Sequence, residues 1–207
     1  MLPICNRRSH KSAIPAKLQS AGVFQVLPIL WATAIKNGYR FIMQELNELK
    51  NFRRHVVLVA PEVHWNTGNI GRTCLGAEAV LHLIEPLGFS LDDRQVKRAG
   101  LDYWSKVPLQ VWDDFDHFIG EMEPAEDEMV LMTKNGVRPF WQMPFSQRII
   151  MVFGSETKGL PIPILERYAS HTFFIPIQSH IRCLNLSTAV GIALYENVRQ
   201  WAAHLSL

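Results

Sequence analysis

Cysteine is scarce in this chain of 207 residues: there are three, Cys5, Cys74 and Cys183, at wide spacing. They build neither a disulfide framework nor a CxxC metal knuckle, which suits a reducing compartment. His180 and Cys183 stand three apart, but a metal needs three or four ligands and no second cluster lies near, so no metal is expected. Uninterrupted apolar runs are lacking as well. The stretch 23–35 is broken by Gln25 and Pro28 and is too short to span a bilayer, so no membrane partner is expected. No internal repeat or low-complexity tract occurs. No GxGxxG follows the first apolar run and no GxxxxGK[ST] is present, which argues against the usual phosphate-cradling nucleotide binders.

Acid is absent from the first 44 residues, which carry Arg7, Arg8, Lys11, Lys17, Lys36 and Arg40. Of the 21 Lys and Arg, fifteen therefore remain against all 19 Asp and Glu in the rest of the chain, whose net charge is about −4. A body that gripped long duplex nucleic acid mainly through phosphates would be basic, so any nucleic acid must meet a local patch. Three readings of this leader stay open: an organelle transit peptide, a secretory signal, or a start site placed too early with Met43 opening the working protein. The third is favoured, because the segment has no helical or strand period with which to dock on a core. Residues 1–52 are accordingly set apart from a domain over 53–207, with a cytoplasmic location expected, or an organellar one if the leader is a transit peptide.

From His55 onward, short β-branched or aromatic runs alternate with longer amphipathic ones. Candidate strands are 55–60, 80–84, 107–112, 129–133, 149–153 and 171–176. Candidate helices are about 68–79, 92–100, 113–121, 161–169 and 186–203, the last opening at Asn185. This alternation predicts an α/β fold, a mostly parallel sheet with helices on both faces. Ligands of such folds gather where strands end at their carboxyl side.

Three of those ends carry unusual residues: Asn66-Thr-Gly-Asn-Ile-Gly-Arg72, Gly154-Ser-Glu-Thr-Lys-Gly-Leu160, and Asn185-Leu-Ser-Thr-Ala189. Each has a plain structural explanation. Asn66 and Asn185 suit helix caps, and Gly154 and Gly159 suit turns. Arg72 suits a salt bridge. In order, however, the segments resemble the three motifs of the SPOUT, or α/β-knot, RNA ribose methyltransferases. The resemblance is greatest to the branch that methylates the 2′-oxygen of a wobble cytidine or uridine in tRNA. That branch also shares Ile84-Glu-Pro-Leu-Gly-Phe89, Lys97-Arg-Ala-Gly-Leu-Asp-Tyr103 and Tyr195-Glu196, and the likeness runs from about Val56 to Trp201.

The resemblance implies a C-terminal trefoil knot that cradles S-adenosylmethionine, with cofactor contacts at Leu131, Gly154, Ile175, Cys183, Leu184 and Asn185. Cys183 stands where family members often have serine. Arg72, Glu156, Tyr195 and Asn69 fall at the implied catalytic positions; Glu156 would order its loop or face the sulfonium and substrate, and Asn66 and Asn69 would touch the nucleotide or order their loop. Methyl transfer from a sulfonium needs no metal and no covalent intermediate, only alignment of the accepting hydroxyl. An arginine stays protonated, so Arg72 suits stabilisation of a developing alkoxide or a clamp on the adjacent phosphate better than the role of a base. Lys97 and Arg98, with Arg94, form the best local basic patch for phosphates of a tRNA anticodon stem-loop, a solvated helix face being the alternative. Trp104, Trp112 and Trp141 are candidates to stack a splayed base, with core packing expected for at least two. Leu186, Val190, Leu194, Val198 and Trp201, beside Ile192 and Tyr195, recur at helical spacing and suit a homodimer interface, or else the core of one subunit. Two other functions remain: ribose methylation at another tRNA or rRNA position, and a non-catalytic RNA-binding module.

Overall fold

The computed structural model describes residues 53–91 and 103–205. The leader, the helix expected over 92–100 and the Arg94, Lys97 and Arg98 patch lie outside the described residues. Seven strands form one sheet: β1 (Arg53–Val59), β2 (Ala79–Ile84), β3 (Leu109–Trp112), β4 (Met129–Met132), β5 (Arg138–Pro139), β6 (Arg148–Phe153) and β7 (Thr172–Phe174). Their order across the sheet is β3-β2-β1-β6-β4-β7-β5, and every pairing is parallel. Among the described residues four α-helices connect them: α1 (His64–Gly76), α2 (Phe115–Met122), α3 (Ile162–Arg167) and α4 (Leu186–His204). The two-residue β5 was not foreseen, since a strand so short has no period to read.

Strand alternation divides the core between the two faces of the sheet. Val56 and Leu58 of β1 pack with Leu81, Met151, Ile70 and Cys74 of α1 and Val190, Ala193 and Leu194 of α4. Val57 and Val59 turn the other way, to Ile150 and Val152, to Phe115 and Phe118 of α2, and to Ile164 of α3. Helices thus cover both faces, as the sequence pattern requires. Each face also buries one polar group chain. On the α4 side Arg54 Nε donates to Asn197 Oδ1 at 2.8 Å, tying β1 to α4. On the α2 side Trp112 Nε1 donates to His82 Nδ1 at 3.0 Å, and His82 Nε2 lies 2.8 Å from His55 Nδ1. The indole N–H fixes the His82 tautomer, so His82 Nε2 is the donor to His55. Burial holds His82 far below the usual imidazole range, at about 3, and the neighbouring His55 adds to the effect.

Helix α1 begins at His64, four residues before the expected start at 68, and ends at Gly76. Asn66 is therefore no cap: the capping position is Val63, without a side-chain hydrogen bond, and Asn66 sits in the first turn. Asn66 and Thr67, expected ahead of the helix, lie within it. No N-cap residue announced its start, and tertiary hydrogen bonds described below outweigh the modest helix cost of asparagine. Helix α4 starts as expected, with Asn185 Oδ1 accepting from Ser187 N at 2.9 Å. Of its apolar residues, Val190, Ala193, Leu194 and Trp201 are buried within the single subunit, while Tyr195 is exposed. No described helix is long and apolar enough to cross a membrane.

Candidate functional site

The carboxyl ends of β1, β4, β6 and β7 open onto a cavity of about 920 Å³, a volume within the range of small-molecule and cofactor sites. Gly154 closes β6 and begins a tight turn in which Ser155 N donates to Gly159 O at 3.2 Å and Gly159 N donates to Ser155 O at 2.9 Å. A Cβ at Gly154 would stand 2.0 Å from the Gly159 carbonyl carbon, and Gly159 has φ +72°, so both positions demand glycine. The turn reading of these glycines is correct, and the turn itself forms a wall of the cavity.

One relay of hydrogen bonds joins the three sequence motifs at the cavity wall. Glu156 Oε2 accepts from Glu62 N at 2.8 Å, and Glu156 Oε1 accepts from Asn66 Nδ2 at 2.8 Å. Asn66 Oδ1 accepts in turn from Asn185 Nδ2 at 2.9 Å, across 119 residues of chain. Asn185 Oδ1 receives Ser187 N and the Ser187 hydroxyl, at 2.9 and 2.7 Å. The carboxylate of Glu62 returns the connection: its oxygens accept from Thr157 Oγ1 at 2.6 Å and Thr157 N at 3.2 Å. Asn185 is thus both helix cap and bridge. Each carboxylate oxygen of Glu156 accepts a hydrogen bond, so the side chain ties the 154–160 turn to Glu62 and Asn66.

Gly154, Ile175, Cys183, Leu184 and Asn185 all line the cavity, as do Asn66 and Glu156. Leu131 does not. It is wholly buried in β4 and faces α2 and α3, and its successors Met132 and Thr133 reach the cavity instead. The period of two in the strand turns each neighbour to the opposite face, so a position inside the strand's end is enclosed. Glu62, Thr157 and Trp65 went unnoticed in the sequence; the first two are found only through contacts 94 and 95 residues apart.

Arg72, Asn69 and Tyr195 stand outside the cavity. Arg72 is exposed on α1, its guanidinium 4.4 Å from the centroid of the Tyr103 ring, and among the described residues it makes no ion pair. The Tyr103 hydroxyl donates to Gly68 O at 3.4 Å, which fixes the ring under the guanidinium. The salt-bridge explanation of Arg72 finds no partner among the described residues. Asn69 is exposed one turn earlier. The Tyr195 hydroxyl lies 3.6 Å from the place of a Cβ on Gly76, beside the carboxyl end of α1. Of the tryptophans, Trp112 is held by His82, and Trp104 packs so close to α1 that a Cβ on Gly71 would be 2.6 Å from its ring. Trp141 is half exposed.

The cavity was tested for S-adenosylmethionine on its donors. Glu156 is the single acid among its lining residues, and apolar Phe153, Leu160 and Ile175 share the wall with the amides of Asn66 and Asn185. Two helix amino ends, those of α1 and α4, contribute Asn66 and Leu186 to it and favour a carboxylate. An apolar wall for a nucleoside and positive helix ends for an amino acid carboxylate suit this cofactor.

A family model described as the SpoU rRNA Methylase family matches residues 53–195. A tRNA (cytidine(34)-2′-O)-methyltransferase of Burkholderia cenocepacia is 44% identical over 147 residues, 70% of this chain and 94% of that protein. Among solved structures, one described as giving structural insights into the 2-OH methylation of C/U34 on tRNA is 37% identical with a TM-score of 0.66, covering 74% of this chain and 99% of that one. An AdoMet-bound rRNA methyltransferase from Sinorhizobium meliloti is 26% identical, with a TM-score of 0.63, covering 72% of this chain and 56% of that one.

Proposed function

Because this chain belongs to the SpoU rRNA Methylase family, we propose that it methylates the ribose 2′-oxygen of the wobble nucleotide of tRNA, a cytidine or a modified uridine, with S-adenosylmethionine as cofactor. The observation that carries this reading is the relay through Asn66, Glu156 and Asn185, which binds all three motifs into one wall of a cofactor-sized cavity. The wobble target is supported by relatives such as the Burkholderia cenocepacia enzyme.

Bound S-adenosylmethionine supplies a methyl group on a positively charged sulfur. Gly154, Ile175, Cys183, Leu184 and Asn185 hold the cofactor, and the Glu62–Thr157 bonds keep the 154–160 turn closed against it. Holding the ribose hydroxyl in line supplies much of the barrier reduction. Arg72, held over Tyr103, stabilises charge on the reacting oxygen or clamps the neighbouring phosphate. The reading includes the trefoil knot, a cytoplasmic location and a homodimer in which the exposed Tyr195 meets the second subunit; the last of these predicts a light-scattering mass of about twice the 23.7 kDa of one chain. Purified protein given S-adenosylmethionine and an anticodon stem-loop RNA should yield 2′-O-methylcytidine by nucleoside mass spectrometry. A methyl group found only at another position, or none with cofactor bound, overturns the assignment.

A further inference from the structure

Helix α1 carries an exposed stripe that starts one residue before the motif 66–72, at Trp65. Trp65, Asn69, Arg72 and Gly76 are all exposed, at spacings of four, three and four residues, so they form one stripe along the helix. The stripe starts at the cavity, which Trp65 lines, and ends at the Tyr195 hydroxyl beside Gly76. Trp65 leaves 51% of its surface exposed, although an indole is costly to leave in water. It is not loose: the His64 ring stands 4.4 Å away and is itself backed by Phe89 at 6.4 Å. Seven residues of helical rise put the backbones of Trp65 and Arg72 about 10 Å apart along α1.

We infer that Trp65 stacks the base of the target pyrimidine, at the cavity end of the stripe on which the proposed function already assigns Arg72 to the reacting oxygen or the neighbouring phosphate. The chemistry is complementary at each point. An exposed, backed indole suits a base lifted out of an RNA loop, an amide at Asn69 suits ribose hydroxyls, and a guanidinium fork suits phosphate. With both ends held, the ribose lies between Trp65 and Arg72, at the cavity edge. Stacking is tolerant of which pyrimidine is offered, so Trp65 supplies grip and orientation, not choice between cytidine and uridine.

The inference rests on the proposed ribose methylation, and one set of measurements separates the two. Wild-type protein, Trp65→Ala and Trp65→Phe are compared for binding of an RNA hairpin with an unpaired loop cytidine, for S-adenosylhomocysteine binding, for KM and kcat, and for mass by light scattering. Trp65→Ala is expected to weaken hairpin binding and raise KM for the hairpin by tenfold or more. Its S-adenosylhomocysteine affinity, mass and melting temperature should stay at wild-type values, and Trp65→Phe should recover most of the loss. Equal loss of cofactor affinity makes Trp65 part of the cofactor pocket and overturns the inference. So does a fall in mass, which makes it a subunit contact, and so does unchanged hairpin binding in Trp65→Ala. A wild-type protein that binds S-adenosylhomocysteine but neither binds nor methylates the hairpin fails the proposed function itself.

Discussion

At the carboxyl end of the sheet, Asn66, Glu156 and Asn185 commit their hydrogen bonds to one another from three distant parts of the chain, and in the sheet interior His55, His82 and Trp112 do the same beneath α2. The difference is access. The first group is partly buried and lines an open cavity, so a ligand can meet it; His82 is fully buried, so nothing but a proton can disturb it. A satisfied polar network therefore does not by itself mark a functional site, since burial alone obliges polar groups to pair. What marks the site is the network's position at the strand ends, beside two helix amino ends and a void.

The largest expected effect lies in the interior. The unfolded chain takes up a proton at His82 near the ordinary value of 6.5, whereas the folded chain resists until about 3. Stability from this group is complete above pH 6.5 and drains away as pH falls toward 3, by about 1.4 kcal/mol for each pH unit. Urea unfolding midpoints across that range measure the slope, and His82→Gln should flatten it; an unaltered slope in the variant assigns it to other groups. Next comes Arg72→Ala at the exposed stripe. Turnover should fall about a hundredfold or more, on the scale of losing one oxyanion donor, with melting and S-adenosylhomocysteine binding nearly unchanged. A matching collapse of melting temperature would return Arg72 to a structural role.

The relay itself is breached by Glu156→Gln, which sets an amide N–H against one of two donors, Glu62 N or Asn66 Nδ2. A cost of about 1–3 kcal/mol is expected, with cofactor affinity falling in step; calorimetric titration and melting curves read both. Full affinity in this variant shows that the loops hold without the carboxylate. The smallest effect separates two cysteines. Cys74 is buried and its thiol is pushed up to about 12, while Cys183 is exposed at the cavity. Iodoacetamide should alkylate Cys183 and leave Cys74 untouched, and S-adenosylhomocysteine should slow the reaction, as peptide mass spectrometry can follow. Alkylation that ignores the ligand would place Cys183 outside the bound cofactor's reach.

Much of this molecule was legible in its residues. The runs 55–60, 80–84, 129–133 and 149–153 became β1, β2, β4 and β6 with ends displaced by a residue or two, because fully apolar runs of that length have few alternatives to a buried parallel strand. Gly154 and Gly159 were readable because a tight turn leaves no room for a Cβ at the first and holds the second at positive φ. The hydrogen-bond partners of Glu156 and the enclosure of Leu131 within β4 were not. Whether a carboxylate faces a ligand or two N–H donors, and which strand residue reaches a cavity, depend on where chain segments 90 or more residues apart come to rest.

Local composition and period determined the α/β class, the parallel sheet covered on both faces, and the three motifs as the places to look. Only the tertiary structure decided that Asn66 lies in a helix, that Asn185 and Glu156 both bond to it, and that Trp65 and Arg72 share an exposed face. The reason is physical: propensity and hydrophobic period act over a few neighbouring residues, while hydrogen-bond partners and solvent access are fixed by contacts between segments far apart in the chain.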